Sequence, residues 1–389
     1  MTCRVLLYCQ DSLGLGHLRR VTNIAWSIFE VDQTADVLIA ADSPVAPFFP
    51  VPPTCRTIKL PTLVKIDTGK WSSPLGEVLR LDDVRSLRVA MLRSIADTFR
   101  PDAVLVDHMA KGAMLELEPT IDVLRGRRGV HLVLGLRDIL GDPDVINEQW
   151  TNEGVQELIG RSYDQILVYG CRDIFDLPAA HDFNALMRAK TTFCGYVVPT
   201  TPSSPTRRRG EGTSILVMAG GGHDGYRLMD LTLASLPQVA AGRKLRVTML
   251  TGPFLGDEQA RDLRDRAKRC DVAFDRMRPS ALVDLRASDL AVSMCGYNTM
   301  AEVMAAGKRA VVVPRPGPSA EQTMRARLFD ERGIIRAVLD RDLTADSLAN
   351  RIEAALDGPP PEAEVSIGGA PTAARVLLER EPSAGVRAG

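Results

Sequence analysis

One pattern constrains this chain more than any other: an apolar run breaks into glycine and restarts as a helix. It is clearest from Ser293 to Arg327, S-M-C-G-Y-N-T-M-A-E-V-M-A-A-G-K-R-A-V-V-V-P-R-P-G-P-S-A-E-Q-T-M-R-A-R. A strand over Leu290–Ser293 ends near Gly296, a short helix covers Asn298–Ala306, and Gly307 can stop it. A second buried strand, Arg309–Val313, passes through a Pro/Gly loop into a helix over Ala320–Glu331. Unpaired amides and the positive end of the helix dipole make each such helix start an anion site. Glu302 lies one turn into the first helix, and Glu321 and Gln322 sit at the next junction. Such a set suits a ligand rich in hydroxyls and bearing phosphates, as sugar nucleotides are.

The same alternation fills the rest of the chain and predicts parallel sheets with helices on both faces. Strands are expected at Arg4–Cys9, Ala35–Ala40, Cys55–Leu60, Ala103–Asp107, Val130–Gly135 and Gln165–Tyr169. Helices are expected near Leu18–Glu30, Leu81–Phe99, Met114–Arg125 and Asn147–Ile159. The texture then changes: P-T-T-P-S-S-P-T-R-R-R-G-E-G-T, residues 199–213, reads as a linker. Strands resume at Ser214–Ala219, Arg246–Leu250, Val272–Phe274, Leu290–Ser293, Arg309–Val313 and Ile335–Val338. The expected organisation is an α/β chain with a first domain over 1–198 and a second over 214–381. A frayed tail over 382–389 completes it. Both domains are doubly wound and Rossmann-like, and are expected to face a cleft.

Composition narrows the function. At 389 residues the chain is long enough for two domains, and its formal net charge of −1 carries no polyanion-binding footprint, so no nucleic-acid partner is expected. Seven cysteines lie scattered, several within apolar strand patterns, which reads as reduced thiols in a cytoplasmic protein with no zinc site. The chain enters its first strand at once, so no signal peptide is expected, and no apolar run approaches bilayer length.

In the first half, C-Q-D-S-L-G-L-G-H-L-R-R places Gly14 and Gly16 in a tight turn and His17 at a helix start. The dipole there favours a neutral imidazole, which suits a general base. The same spacing also suits an ordinary turn with an exposed histidine. The third glycine of a dinucleotide fingerprint is missing. Asp107 ends the strand A-V-L-V-D and is placed to orient that base, while His108 beside it lines an acceptor pocket or caps a loop. Arg137 and Asp138 end the next strand, as an internal salt bridge or a pair for the acceptor. In the second half, A-G-G-G-H-D-G offers the amides of Gly220, Gly221 and Gly222 to a diphosphate, with His223 exposed or turned to phosphate or acceptor. The backbone at Arg278 suits a base, the Glu302 carboxylate suits ribose hydroxyls, and Glu321 and Gln322 suit sugar hydroxyls. Each also has a plain reading as surface or helix-start polarity.

Together these motifs resemble the two-domain GT-B glycosyltransferases, and above all those related to the bacterial GlcNAc transferase of the lipid-linked peptidoglycan precursor. The likeness covers both halves in order, and V-D-H, L-R-D and Y-N-T-M-A-E resemble a branch of predicted glycosyltransferases. It implies a UDP-type donor in the second domain, with Glu302 on the ribose and the Arg278 backbone on the base. Gly220 to Gly222, Cys295, Gly296 and Thr299 would then meet the diphosphate, and Glu321 and Gln322 the transferred sugar. His17 matches the histidine of the family's first glycine loop. Three departures stand out: fewer glycines in that loop, Glu321 where a glutamine pair begins, and Pro199 near Gly195 in place of an arginine.

The resulting expectation is an inverting, metal-independent transfer of a hexose or N-acetylhexosamine to a small or lipid-linked acceptor. No cofactor beyond the nucleotide-sugar co-substrate is expected. The segment Lys59–Arg93 is expected to serve the acceptor, as a loop covering the cleft or as a peripheral membrane contact. A nucleotide-sugar hydrolase or epimerase would share the donor site, as would a non-catalytic sugar-nucleotide binder. A nicotinamide oxidoreductase fits neither glycine loop.

Overall fold

The computed structural model describes residues 2–11, 14–67, 70–199, 211–278, 281–317, 319–361 and 364–379. The expected linker, 199–213, lies almost wholly outside these, as does the expected tail, 382–389. The chain divides into two compact units: residues to Val197 together with those from Gly368 onward, and Val198–Ile367.

The first unit contains β1 (Arg4–Cys9), β2 (Asp36–Ala41), β3 (Cys55–Lys59), β4 (Val64–Asp67), β5 (Lys70–Ser72), β6 (Ala103–Asp107), β7 (His131–Arg137), β8 (Gln165–Tyr169) and β9 (Thr191–Phe193). All but β4 and β5 form one parallel sheet in the order β3-β2-β1-β6-β7-β8-β9. Its central strands, R-V-L-L-Y-C and A-V-L-V-D, are near-continuous apolar runs because helices cover both faces. The second unit contains β10 (Thr213–Met218), β11 (Leu245–Leu250), β12 (Ala273–Asp275), β13 (Leu290–Met294), β14 (Arg309–Val313) and β15 (Arg336–Ala337). These are also parallel, ordered β12-β11-β10-β13-β14-β15. Both units are Rossmann-like, as the sequence predicts. In each, strand order reverses beside the first strand, between β1 and β6 and between β10 and β13. The carboxyl ends of those strand pairs are where open α/β sheets bind ligands.

Several expectations need correction. The helix expected over Asn147–Ile159 is two helices, Pro143–Asn152 and Val155–Ser162, parted at Gly154 with φ +61°. The Met114–Arg125 helix begins only at Glu118, because Met114 and Leu115 adopt left-handed conformations. Within Lys59–Arg93, β4 and β5 form an antiparallel hairpin instead of an irregular loop.

The domain boundary at 381 is also displaced. The last helix, Gly369–Leu378, packs on the Gly16–Val31 helix of the first unit. It does so through small residues: Ala370, Ala373, Ala374 and Leu377 are buried, and the Gly369 amide donates to Tyr196 O at 3.1 Å. A Cβ on Gly369 would lie 2.5 Å from Gly195 O, so glycine is required for this approach. Truncating Leu377 to Ala removes buried methyl groups and is expected to destabilise the first unit by about 2–5 kcal/mol. All three tryptophans, Trp26, Trp71 and Trp150, lie in that unit, so their fluorescence during urea unfolding reads this loss. An unchanged fluorescence midpoint would mean that the helix belongs elsewhere.

Candidate functional site

In the first unit the site is built around a carboxylate buried at the reversal of strand order. Asp107, the last residue of β6, is fully buried. Its Oδ2 lies 2.5 Å from His17 Nδ1, and Arg20 approaches it with Nε at 2.9 Å from Oδ1 and Nη2 at 2.7 Å from Oδ2. Residues three apart share a helix face, so His17 and Arg20 reach the same group. Burial alone would raise the Asp107 pKa, but the Arg20 guanidinium and the His17 hydrogen bond outweigh it and hold it down at about 2. An anionic Asp107 makes Nδ1 the protonated nitrogen of a neutral His17 ring, although Arg20 Nη2 also crowds Nδ1 at 2.7 Å. We take Nδ1–H to donate to Asp107, since Arg20 already has both carboxylate oxygens as acceptors. Nε2 makes no hydrogen bond among the described residues, which leaves it able to accept a proton.

The main chain at His17 is fixed just as firmly. The helix Gly16–Val31 has no side-chain cap at its own first residue. Asp11, at the end of β1, reaches forward and accepts the His17 amide at 2.8 Å and the Leu18 amide at 2.5 Å. Asp11 is itself held by its amide, which donates to Asp42 Oδ1 at 2.7 Å. Gly14 closes the turn through its amide to Asp11 O at 2.8 Å, and Gly16 begins the helix. His108 has φ +71°, and its ring lies 5.2 Å from that of His17. Its Nε2 is 3.1 Å from Arg137 Nη2. Burial first, then Arg137, push the His108 pKa well down. Asp138 instead takes the Tyr196 hydroxyl at 3.2 Å and the Ile139 amide at 2.9 Å, a structural role.

In the second unit the glycine loop after β10 meets the helix after β13. A Cβ on Gly220 would lie 3.6 Å from Thr299 Oγ1, and one on Gly296 4.0 Å from the same oxygen. The two glycine segments and the Thr299 hydroxyl therefore form one patch. Gly222, at φ +95°, has no room for a side chain: its Cβ would lie 2.3 Å from Thr251 O. Gly221 accepts the Phe254 amide at 2.9 Å.

Residues 215–376 match the model of the glycosyltransferase family 28 C-terminal domain. A UDP-N-acetylglucosamine–N-acetylmuramyl-(pentapeptide) pyrophosphoryl-undecaprenol N-acetylglucosamine transferase of Desulfitobacterium hafniense is 24% identical over 236 residues, 57% of this chain and 61% of that protein. The match thus spans about three-fifths of the relative's length. MurG of Acinetobacter baumannii shares the fold at a TM-score of 0.57 and 13% identity, over 96% of this chain and 99% of that one. A putative UDP-N-acetylglucosamine 2-epimerase of Listeria monocytogenes does so at 0.60 and 13%, over 96% and 94%. The fold is therefore shared by proteins named for different reactions.

Within the residues that match the family 28 model the expected donor residues divide. Gly220, Gly221, Gly222, Gly296 and Thr299 converge, as described. Glu302 is buried on the Tyr297–Ala306 helix that carries Thr299. Arg278 has its side chain tied to Asp284 and, at 3.4 Å, to Asp275 Oδ2. Gln322 accepts the Arg315 amide on Oε1 at 3.1 Å, and its Nε2 carries no hydrogen bond among the described residues. Glu321 has a partner within the chain. It is buried and accepts from Arg325 Nη2 at 2.8 Å, while Nη1 of the same buried arginine donates to Cys295 O at 2.9 Å. A carboxylate engaged this way secures the peptide before Gly296. Cys295 likewise has a fully buried thiol and a carbonyl already occupied. His223 is 70% exposed in the second unit, apart in sequence from the other acceptor candidates, with Nδ1 2.8 Å from Asp224 Oδ1.

Sequence reasoning missed Asp11, Arg20, Arg315 and Arg325. Spacing carried a signal for two of them: Arg20 follows His17 by one helical turn, and Arg325 follows Glu321 by four residues. Among the described residues, no group of three or more His, Cys, Asp or Glu side chains is placed to hold a metal ion, and no helix is long and apolar enough to cross a membrane.

The Asp107 cluster sets a pH dependence. A carboxylate held at about 2 when folded, against about 3.9 unfolded, contributes stability above pH ~4 that disappears as pH falls toward 2. The Asp107→Asn variant is expected to be less stable than wild type by about 2 kcal/mol at pH 7, with the gap falling to about half of that at pH 3. Tryptophan-monitored urea unfolding at the two pH values measures it; a gap independent of pH would refute the assignment.

Proposed function

We propose that this chain is an inverting glycosyltransferase that moves a hexose or N-acetylhexosamine from a nucleoside diphosphate sugar, most simply a UDP sugar, to an acceptor hydroxyl. The observation that carries the reading is the His17 Nδ1–Asp107 Oδ2 contact at 2.5 Å, joined to a family 28 domain whose glycine segments converge on Thr299. The donor diphosphate lies against the amides of Gly220 to Gly222 and the helix start at Gly296, where backbone dipoles offset the charge released as it departs. The acceptor oxygen gives its proton to His17 Nε2 and bonds to the anomeric carbon as the carbon–diphosphate bond breaks on the opposite side. Because the leaving charge is met by amides, the step is metal-independent.

A lipid-linked acceptor fits best. The relative's name specifies a pyrophosphoryl-undecaprenol compound, and the first unit exposes Phe48 at 87%, Val78 at 81% and Ile66 at 63%. Gln322, with its amide nitrogen turned outward, is the residue that donates to a sugar hydroxyl.

The test begins with a thermal-shift screen over UDP, dTDP and GDP sugars, followed by mass spectrometry of an extract incubated with the best binder. A sugar-shifted product that forms in EDTA and has the inverted anomeric configuration supports the reading. His17→Ala is expected to lower kcat by about 10²–10⁴ while leaving UDP affinity unchanged. Donor consumption without acceptor would point to a hydrolase or epimerase, and a fully active His17→Ala enzyme would remove the base.

A further inference from the structure

A second ligand site lies at the other edge of the second sheet, in a cavity that the transferase reading does not use. The cavity measures about 470 Å³ and sits where β14 and β15 begin, whereas the glycine segments lie where β10 and β13 end. Because the sheet is parallel, these are opposite edges. Arg309, Arg332 and Arg336 line it, together with an apolar wall that includes Ile334, Ile335 and Ala355 and the run Pro359–Pro361. No Asp or Glu is among the lining residues.

Arg309 is the telling residue. Its Nη2 donates to Gly358 O at 2.8 Å, which ties the strand start to the proline run. Its Nε is buried without a hydrogen-bond partner, and Arg309 makes no ion pair among the described residues. A buried guanidinium N–H left without an acceptor costs free energy that native structures ordinarily avoid. Arg336, exposed at the start of β15, also forms no ion pair or hydrogen bond among the described residues. Several other arginines of this unit find carboxylates: Arg276 with Asp257, Arg278 with Asp284, Arg315 with Asp224.

We propose that this cavity binds a small amphipathic anion, with its carboxylate or phosphate on Arg309 and Arg336 and its apolar body against Ile334, Ile335 and the prolines. The volume is that of an ordinary small-molecule site. Cationic donors at one end and an apolar wall behind them select against both inorganic anions and neutral lipids. The site is independent of the nucleotide edge and of the transferase reading.

Octanoate, octyl phosphate and octanol serve as probes, titrated calorimetrically into the full chain with UDP present at saturation. Saturable binding of octanoate, octyl phosphate or both is expected, with octanol at least ~10-fold weaker because it forms no charge-assisted hydrogen bond. The carboxylate and phosphate arms identify which head group the site prefers. Arg309→Met and Arg336→Ser are each expected to weaken binding by ~10-fold or more and to leave UDP affinity unchanged. The exposed Arg336 keeps the test valid if Arg309→Met perturbs folding. Equal binding of octanol, anion binding abolished by UDP, insensitivity to Arg336→Ser, or no saturable binding would each overturn the proposal.

Discussion

A carboxylate with no access to water must be met by donors or be neutralised, and Asp107 is that carboxylate here. Left alone at the end of β6 it would cost several kcal/mol. Two donors from one helix turn meet it: Arg20 along both oxygens and His17 through Nδ1. Compensation of the charge therefore also sets the histidine's tautomer and direction. The chemistry and the stability of the first unit rest on the same three side chains. The strand-order reversal makes this possible, because it brings the ends of β1 and β6 together while their following loops diverge.

The second unit solves a related problem differently. Its anion site consists mostly of main chain, so side chains act by holding peptides still. Arg325 is fully buried, satisfied by Glu321 and by the Cys295 carbonyl, with Tyr297 beneath it at 5.9 Å. Removing either charge would leave the other uncompensated in the core. The Arg315 side chain bonds Asp224 in the glycine loop while its amide bonds Gln322. The glycine loop after β10 and the start of the Glu321–Glu331 helix are thus physically joined.

The central strands of both sheets are legible because buried parallel strands are written as near-continuous apolar runs, and every strand of the two large sheets except β9 falls where the sequence predicts one, edge strands of mixed character such as β3, C-R-T-I-K, included. The hairpin β4–β5 escaped because V-K-I-D and K-W-S are short and mixed in character, and β9, T-T-F, is only three residues long. His17 and Asp107 could be paired in advance, since strand-end residues at a reversal point converge by topology. Glu321 could not be judged so: its partner, Arg325, is one turn along the same helix, and only packing decides whether such a pair faces inward or toward a ligand. Asp11 was hidden for the opposite reason, because a side chain capping amides six and seven residues ahead leaves no local signature.

The return of the Gly369–Leu378 helix to the first sheet makes the second unit an insertion within the first. On a ribosome the whole of the second unit is made before the Gly369–Leu378 helix that the first unit needs. Until then the apolar side of the Gly16–Val31 helix stays uncovered. Assembly order thus runs inward to outward rather than from the first residue to the last, and a chain cut after Ile367 would carry a complete second unit and a first unit without its last helix.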